Sequence, residues 1–505
     1  MLISQIFRVA WFTIFQAACS TCVALIFGLP GAFFISQRNF LGRKLLSSLS
    51  VVPFCMPSLL IALGYVTFLG LNGGLNRFLM LVFDLKEPPL KFLYSFFGLI
   101  IAQGCYNFPL IMKQVGDSWR QLPKQQQECA RLLGSSEFRI FRTVTLPQLI
   151  PSIASSSLIC FIYCFLSFIL ILLFGGIGNT TLEVEIYKTA RASLDFKKAF
   201  ALGLIETLIL VLITILYCIF QQKNSRSKGI KNLKLTKLSN LHGFSEISLF
   251  SVYILLLTIF FILPMLGIVY NAFTSTNVAL QKNSGFTFQT FMSIFKLKSF
   301  LPSLKSTILT SFCTGICSTI IAFLYSTFLL FKFRKSSNAL KTIFTTLPIL
   351  PMTTSSVITG ILLTAIFPKG TFSLLIFAQT MLFWPIAFQQ IHPNISKISN
   401  KTLDSAILLS KNHFDIIIRF VLPSVKISLL RAFCFTFSIS AGDTTLPLVL
   451  AIPKYTSLAL FTYRLAGAYR FNQACAAGII LALICLSVFA IGTLLNQSTF
   501  KRKSK

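Results

Sequence analysis

Long apolar runs, each close to the length of a membrane-crossing helix, alternate with short basic segments along the whole 505-residue chain. A hydrocarbon core ~30 Å thick takes about 20 apolar residues per helix. Eleven such runs are centred in 11–36, 47–73, 95–112, 149–174, 201–220, 247–272, 306–331, 342–366, 372–392, 427–451 and 473–496. The expected fold class is therefore all-α, a polytopic membrane protein of about 11 transmembrane helices. Composition excludes an ordinary soluble domain: 55% of the residues are hydrophobic, 11% are charged and mean hydropathy is +0.78. The net charge of +32 lies largely in segments that flank spans, so it speaks for membrane topology and not for nucleic acid.

The distribution of Lys and Arg sets the expected orientation. One set of connections (38–46, 113–142, 221–246, 332–341, 393–426 and the tail from 497) holds 28 of them, and the alternate set holds 16. The richer side is expected to be cytoplasmic, with the C-terminus inside and the N-terminus outside, in a bacterial inner membrane. The first residues run directly into a span without a small-residue cleavage site, so no removable signal peptide is expected. Thirteen cysteines, including the Cys19/Cys22, Cys160/Cys164 and Cys313/Cys317 pairs, lie mostly in apolar runs without a nearby His or carboxylate. They read as small hydrophobes, not metal ligands. The three histidines are scattered, and no metal site is expected.

An internal repeat decides the architecture. ECARLLGSSEFRIFRTVTLP at Glu128–Pro147 is echoed by DSAILLSKNHFDIIIRFVLP at Asp404–Pro423. A shift of 276 residues pairs Glu128 with Asp404, Ala130 with Ala406, Gly134 with Ser410, Leu146-Pro147 with Leu422-Pro423, and Tyr187 with Tyr463. Upstream the shift becomes 294, pairing Arg38 with Lys332 and Pro57 with Pro351; a long connection at 74–94 against a short one at 367–371 accounts for the difference. Six spans separate the two copies, so both face the same side: the repeat is parallel. The division is a first repeat at 1–220, a basic linker at 221–246 and a second repeat at 247–505. In the repeated segment, Ala130, Leu132 and Leu133 precede Gly134, and Phe138, Ile140 and Phe141 follow it. This predicts two short amphipathic helices broken at a glycine, with a proline opening the next span. Such a pair can press an apolar face into a groove on a soluble partner.

The pattern acidic–x–Ala–x3–Gly–x11–Leu–Pro resembles the coupling loop of binding-protein-dependent ABC importer permeases of the type I fold, which in that family sits in a cleft of a cytoplasmic ATPase. The resemblance implies coupling loops at 118–147 and 393–423. Glu128, Ala130, Gly134, Leu146 and Pro147 would form the first element, and Asp404, Ala406, Ser410, Leu422 and Pro423 the second. The second copy departs from the pattern, with Asp for Glu and Ser410 for glycine. GNTTLEVEIYKTA (178–190) and GDTTLPLVLAIPKYTSLALFTYRLAGAYR (442–470) are similar to the fused permeases for ferric iron and thiamine. Those usually carry a span ahead of the first core, which has no counterpart here. The implied partners are two copies of an ABC ATPase, a periplasmic substrate-binding protein and the lipid bilayer. The implied cargo is a small cationic nutrient, ferric iron ahead of thiamine.

No GxxxxGK[ST] phosphate loop is present, so ATP and Mg belong to the partner ATPase; no cofactor and no catalytic residue is expected in this chain. Among 13 acids, Glu206 alone lies well inside a predicted span, where it either lines the translocation path or is held by a structural partner. Glu183, Glu185 and Asp443 lie near the outer ends of spans, as candidate contacts for substrate or binding protein. Arg431, about two turns beyond Pro423, reads as a snorkelling side chain. The alternative function is an ion-coupled secondary transporter, which normally needs several intramembrane acids or broken midplane helices.

Overall fold

The computed structural model describes residues 2–49, 56–174, 180–227, 239–240, 243–274, 286–332, 340, 344–367, 369–410 and 412–503. Residues 228–238 and 241–242 of the basic linker, and Gly178-Asn179 of the first permease-like segment, lie outside the described residues. The described chain is helical apart from a two-residue parallel pairing of Arg38–Asn39 with Ser239–Asn240. Eight of its helices are long and apolar enough to cross a membrane: they fall within Ile6–Gln37, Ser58–Phe83, Glu137–Phe165, Phe196–Phe220, Phe244–Ala272, Phe300–Lys332, Phe372–Ile395 and Phe471–Gly492. Phe96–Trp119 also has spanning length. It is diluted by Gln103, Asn107 and Ser118, all buried among other helices instead of facing lipid.

The repeat is legible helix by helix. At an offset of 276, Phe96–Trp119 recurs as Phe372–Ile395, Glu137–Ile140 as His413–Ile416, and Leu182–Arg191 as Leu458–Gly467. Pro109 and Pro385 recur inside the matching long helices. A proline there leaves one carbonyl of the preceding turn without its N–H partner, a defect that a neighbouring helix or side chain can cover.

Two expected spans are not single helices. The run at 149–174 divides into Leu146–Phe165 and Phe168–Phe174, and the run at 427–451 into Leu422–Gly442 and Thr445–Leu450. The second break has a clear cause. Asp443 leaves the helix with φ −71° and ψ 117°, and its Oδ1 accepts from the N–H groups of Thr445 (3.0 Å) and Leu446 (3.3 Å). A carboxylate that satisfies two orphan donors starts a new helix, and hydropathy alone is blind to it. Among its described residues, the expected span at 342–366 is α-helical at 344–346 and at Ser356–Ile366, with a 3-10 segment at Leu347–Thr353 between them. The connection at 74–94 is not a plain loop: Gly74–Phe83 is a helix, and buried Asn76 ties it down. Asn76 donates to the carbonyls of Gly70 (2.9 Å) and Leu90 (2.8 Å) and accepts from the Leu90 N–H.

The chain divides into two compact units, 1–53 with 61–268 and 54–60 with 269–505. In the first, Leu2–Gln37 packs along Phe96–Trp119, and Leu146–Phe165 packs on both. Phe244–Leu257 and the π-helical turn Thr258–Ile262 belong to this unit. Phe250 meets Phe34 edge-on, Phe261 meets Phe108, and the Tyr65 hydroxyl donates to the Phe260 carbonyl at 2.6 Å. Gly31 permits this approach, since a Cβ there would lie 2.4 Å from the Tyr253 hydroxyl. In the second unit Phe300–Lys332, Phe372–Ile395 and Leu422–Gly442 pack mutually around Ala322, Ala387, Phe388, Ile391 and Val425.

Candidate functional site

The repeated segments form two heads that expose matching apolar residues but turn differently. In the first, Lys124–Leu132 ends in a turn where Gly134 has φ +78°, a left-handed backbone that side chains with a Cβ resist. The Gly134 N–H donates to the Arg131 carbonyl at 2.9 Å and the Ser135 N–H to the Ala130 carbonyl at 3.1 Å. Across this turn Arg131 grips Glu137 with two hydrogen bonds of 2.5 and 3.0 Å, and the carboxylate raises the pKa of the guanidinium above its ordinary value. The second head turns differently. Asn400–Leu409 is capped by Ser399, whose hydroxyl accepts from the Thr402 N–H, and it ends at Ser410 with φ −106° and ψ 148°. Ser410 itself therefore leaves the helix through extended backbone, unlike Gly134.

The expected second short helix of each head is not separate. Glu137–Ile140 continues through a π-helical turn, Phe141–Thr145, into Leu146–Phe165, and His413–Ile416 continues through Ile417–Val421 into Leu422–Gly442. The Leu-Pro pair explains this. Pro147 and Pro423 have no N–H for the carbonyl four residues back, and their rings crowd it. The ladder widens by one residue, so the Leu146 N–H bonds to Phe141 O and the Leu422 N–H to Ile417 O. The motif thus builds a continuous lever from head to span.

Both heads present the same apolar side chains. Leu132, Leu133 and Phe138 are 88%, 86% and 75% exposed; Leu408, Leu409 and Phe414 are 87%, 88% and 71% exposed. Glu128 and Asp404 lie exposed on the same faces of their helices, while Ala130 and Ala406 are half-buried. Ile140 and Ile416 point the other way and are buried, anchoring each head to its bundle; in the second, Leu403 and Ala406 add to that anchor. Three large apolar groups standing in the open at a polar segment make each head a candidate interaction surface.

Glu183 is buried on Leu182–Arg191, and Glu185, half-buried, lies 3.7 Å from the Lys198 amine and accepts from the Thr180 hydroxyl at 3.3 Å. Glu206 is fully buried inside Phe196–Ser227. Asp443 caps Thr445–Leu450, and its Oδ2 also accepts from the Gln379 amide at 3.1 Å. The Gln379 carbonyl oxygen accepts from Ser440 (2.7 Å) and Thr314 (3.1 Å). Among the described residues no group of His, Cys, Asp and Glu is arranged to hold a metal ion.

Sequence reading missed a duplicated polar belt. Ser20 donates to Gln103 at 2.8 Å in the first unit, as Thr314 does to Gln379 in the second. Thr13 accepts from the Leu182 N–H at 2.9 Å, as Thr307 accepts from the Leu458 N–H at 2.7 Å. The signal was available: the offsets of 294 and 276 place Ser20 on Thr314, Thr13 on Thr307 and Gln103 on Gln379. Isolated Ser, Thr and Gln in apolar runs simply do not stand out until they are paired across the repeat.

The described chain is thus a polytopic helical protein whose repeated segments each expose three large apolar side chains. Residues 24–228 match the family described as binding-protein-dependent transport system inner membrane component. That match covers 205 of the chain's 505 residues, so the likeness to these permeases is shown for part of its length. It is 23% identical over 512 residues to the thiamine transport system permease protein ThiP of Brucella abortus, covering 97% of this chain and 87% of that one. It is 28% identical over 269 residues to ThiP of Haemophilus influenzae, covering 53% of this chain and about half (48%) of that protein. A putative 2-aminoethylphosphonate transport system permease protein, PhnU of Salmonella typhi, is 29% identical over 190 residues, 38% of this chain and 66% of its own. A crystal structure of a bacterial ABC transporter that imports the acidic polysaccharide alginate aligns with half of this chain, and 94% of its own, at TM-score 0.38 and 17% identity.

Proposed function

We propose that this chain is the translocation subunit of an ABC importer that carries thiamine from a periplasmic binding protein into the cytoplasm, driven by two copies of a separate ATPase. The two matched heads carry this reading. One surface repeated at a fixed offset is what two identical ATPase subunits require, one head per subunit. Closure of the ATPases would draw the heads together, and the continuous helices through Pro147 and Pro423 would pass that motion into the spans. Thiamine takes precedence over ferric iron because the relative matched along nearly the whole chain bears the thiamine name. The cationic cargo is handed over by the binding protein, so this chain needs no deep substrate site of its own.

The test is uptake by the source cells with and without this chain, using radiolabelled thiamine, ferric iron and 2-aminoethylphosphonate in parallel. The expected result is loss of thiamine uptake alone, restored by the intact gene. Loss of iron or aminoethylphosphonate uptake with thiamine uptake intact would overturn the substrate assignment. Uptake that persists without ATP but collapses with the ion gradient would overturn the ABC reading itself.

A further inference from the structure

The repeat is broken at one place beside the second head. In the first unit, the end of Leu2–Gln37 is covered by Phe244–Leu257: Phe34 meets Phe250 and Tyr253, and Arg38 is ion-paired to Glu246 in the first turn of the covering helix. The offset of 294 carries Phe34 to Phe328 and Arg38 to Lys332. There, among the described residues, the second unit has an open groove of about 500 Å³, lined by Leu324, Phe328, Phe331 and Lys332 on one side and by Ile407 and Ile417 of the head on the other. Leu324 is 56% and Phe328 44% exposed, and the Lys332 amine lies over the Phe328 ring.

A second helix does not fit as the first does. Gly31, which admits Tyr253, is replaced at the matching position by Tyr325, whose ring packs on Trp384 and Phe388 and whose hydroxyl donates to the Phe344 carbonyl at 2.9 Å. A helix ~10 Å across fills roughly 400 Å³ per turn, so the groove holds about one turn of one, whereas its volume and apolar walls suit a slimmer chain. An anion is still called for, because the cation that Glu246 neutralises in the first unit has its counterpart in Lys332.

We propose that this groove holds an acyl chain of an anionic phospholipid, with its headgroup phosphate on Lys332. The lipid takes the place that helix and carboxylate fill in the first unit. Because Ile407 and Ile417 form one wall, the bound lipid steadies the second head. That consequence rests on the coupling reading above, but the lipid site itself does not.

The full-length chain in nanodiscs is irradiated with phosphatidylglycerol carrying a diazirine on one acyl chain, and separately with phosphatidylcholine carrying the same group; adducts are mapped by mass spectrometry. The expected result is about five-fold more adduct on the 324–332 and 407–417 peptides from phosphatidylglycerol, the preference one surface cation supplies. Lys332→Glu should erase that preference, and Leu324→Trp should block the groove to both lipids. Equal labelling by the two lipids, or a preference that survives Lys332→Glu, would overturn the proposal. So would cross-linking of the groove to a polypeptide when a photoreactive residue is placed at 328 in native membranes. The adduct map needs neither ATPase nor substrate, so its failure leaves the coupling reading standing, and failure of ATPase binding leaves the lipid site standing.

Discussion

Truncating the exposed leucines of one head tests whether these side chains dock. In the isolated chain Leu132 and Leu133 are 88% and 86% exposed, so Leu132→Ala with Leu133→Ala removes almost no internal packing. If docking buries them, each truncation forfeits roughly 2 kcal/mol, at ~0.8 kcal/mol per methylene. Allowing for incomplete burial, the pair should cost about 2–4 kcal/mol, which is roughly thirty-fold to several hundred-fold in Kd. The assay is biolayer interferometry of the purified ATPase on nanodisc-held chain, with thermal stability recorded in parallel. The expected result is weakened binding at unchanged Tm, whereas the control Ile140→Ala, at a buried anchor, should lower Tm through a core cavity worth ~2–4 kcal/mol. A Kd within two-fold of the parent for the double variant would refute the docking surface.

Three further outcomes follow from the same geometry. Gly134→Val should impair uptake and ATPase retention more than Ser410→Val, because Gly134 has φ +78° and Ser410 φ −106°; no atom would crowd a Cβ at 134, so the cost is the backbone conformation alone, at least ~1–2 kcal/mol, and Gly134→Asn should be milder. Thr307→Val should lower Tm by leaving the buried Leu458 N–H without its acceptor, ~1–3 kcal/mol, with a matching loss for Thr13→Val; unchanged melting in both would contradict the cap. Asp443→Asn should keep the cap of Thr445–Leu450 through its one remaining oxygen but turn an NH2 toward the Gln379 NH2, so Tm should fall while proteolysis near 443–450 and membrane insertion stay unchanged.

The sequence made the apolar helices, the repeat and the two Leu-Pro segments readable because each has a signal that survives without coordinates: apolar length, a fixed offset, and a Leu-Pro pair at a set distance from an acid. The helix breaks were not readable in the same way. Asp443 is one polar residue in an apolar run, and only the two N–H groups it caps show that the helix ends there. The merging of each second short helix with its span was missed for a related reason. Proline reads as a helix start, yet here it widens the preceding turn and keeps the helix whole. Leu408, Leu409 and Phe414 look like ordinary apolar helix residues until their exposure is seen to match that of Leu132, Leu133 and Phe138.

The central claim is that the two heads lie on one side of the membrane and each meets an ATPase. The chain supplies its own probe, since Cys129 is exposed on the first head and the offset places Ser405, also exposed, at the same position on the second. In a background lacking the other cysteines, Cys129 alone and Ser405→Cys alone are labelled with a membrane-impermeant maleimide in right-side-out and inverted vesicles, with and without the ATPase. Both should label only in inverted vesicles, and both should be shielded when the ATPase is bound. Labelling of the two positions from opposite faces, or labelling of both that the ATPase leaves unchanged, would contradict the account.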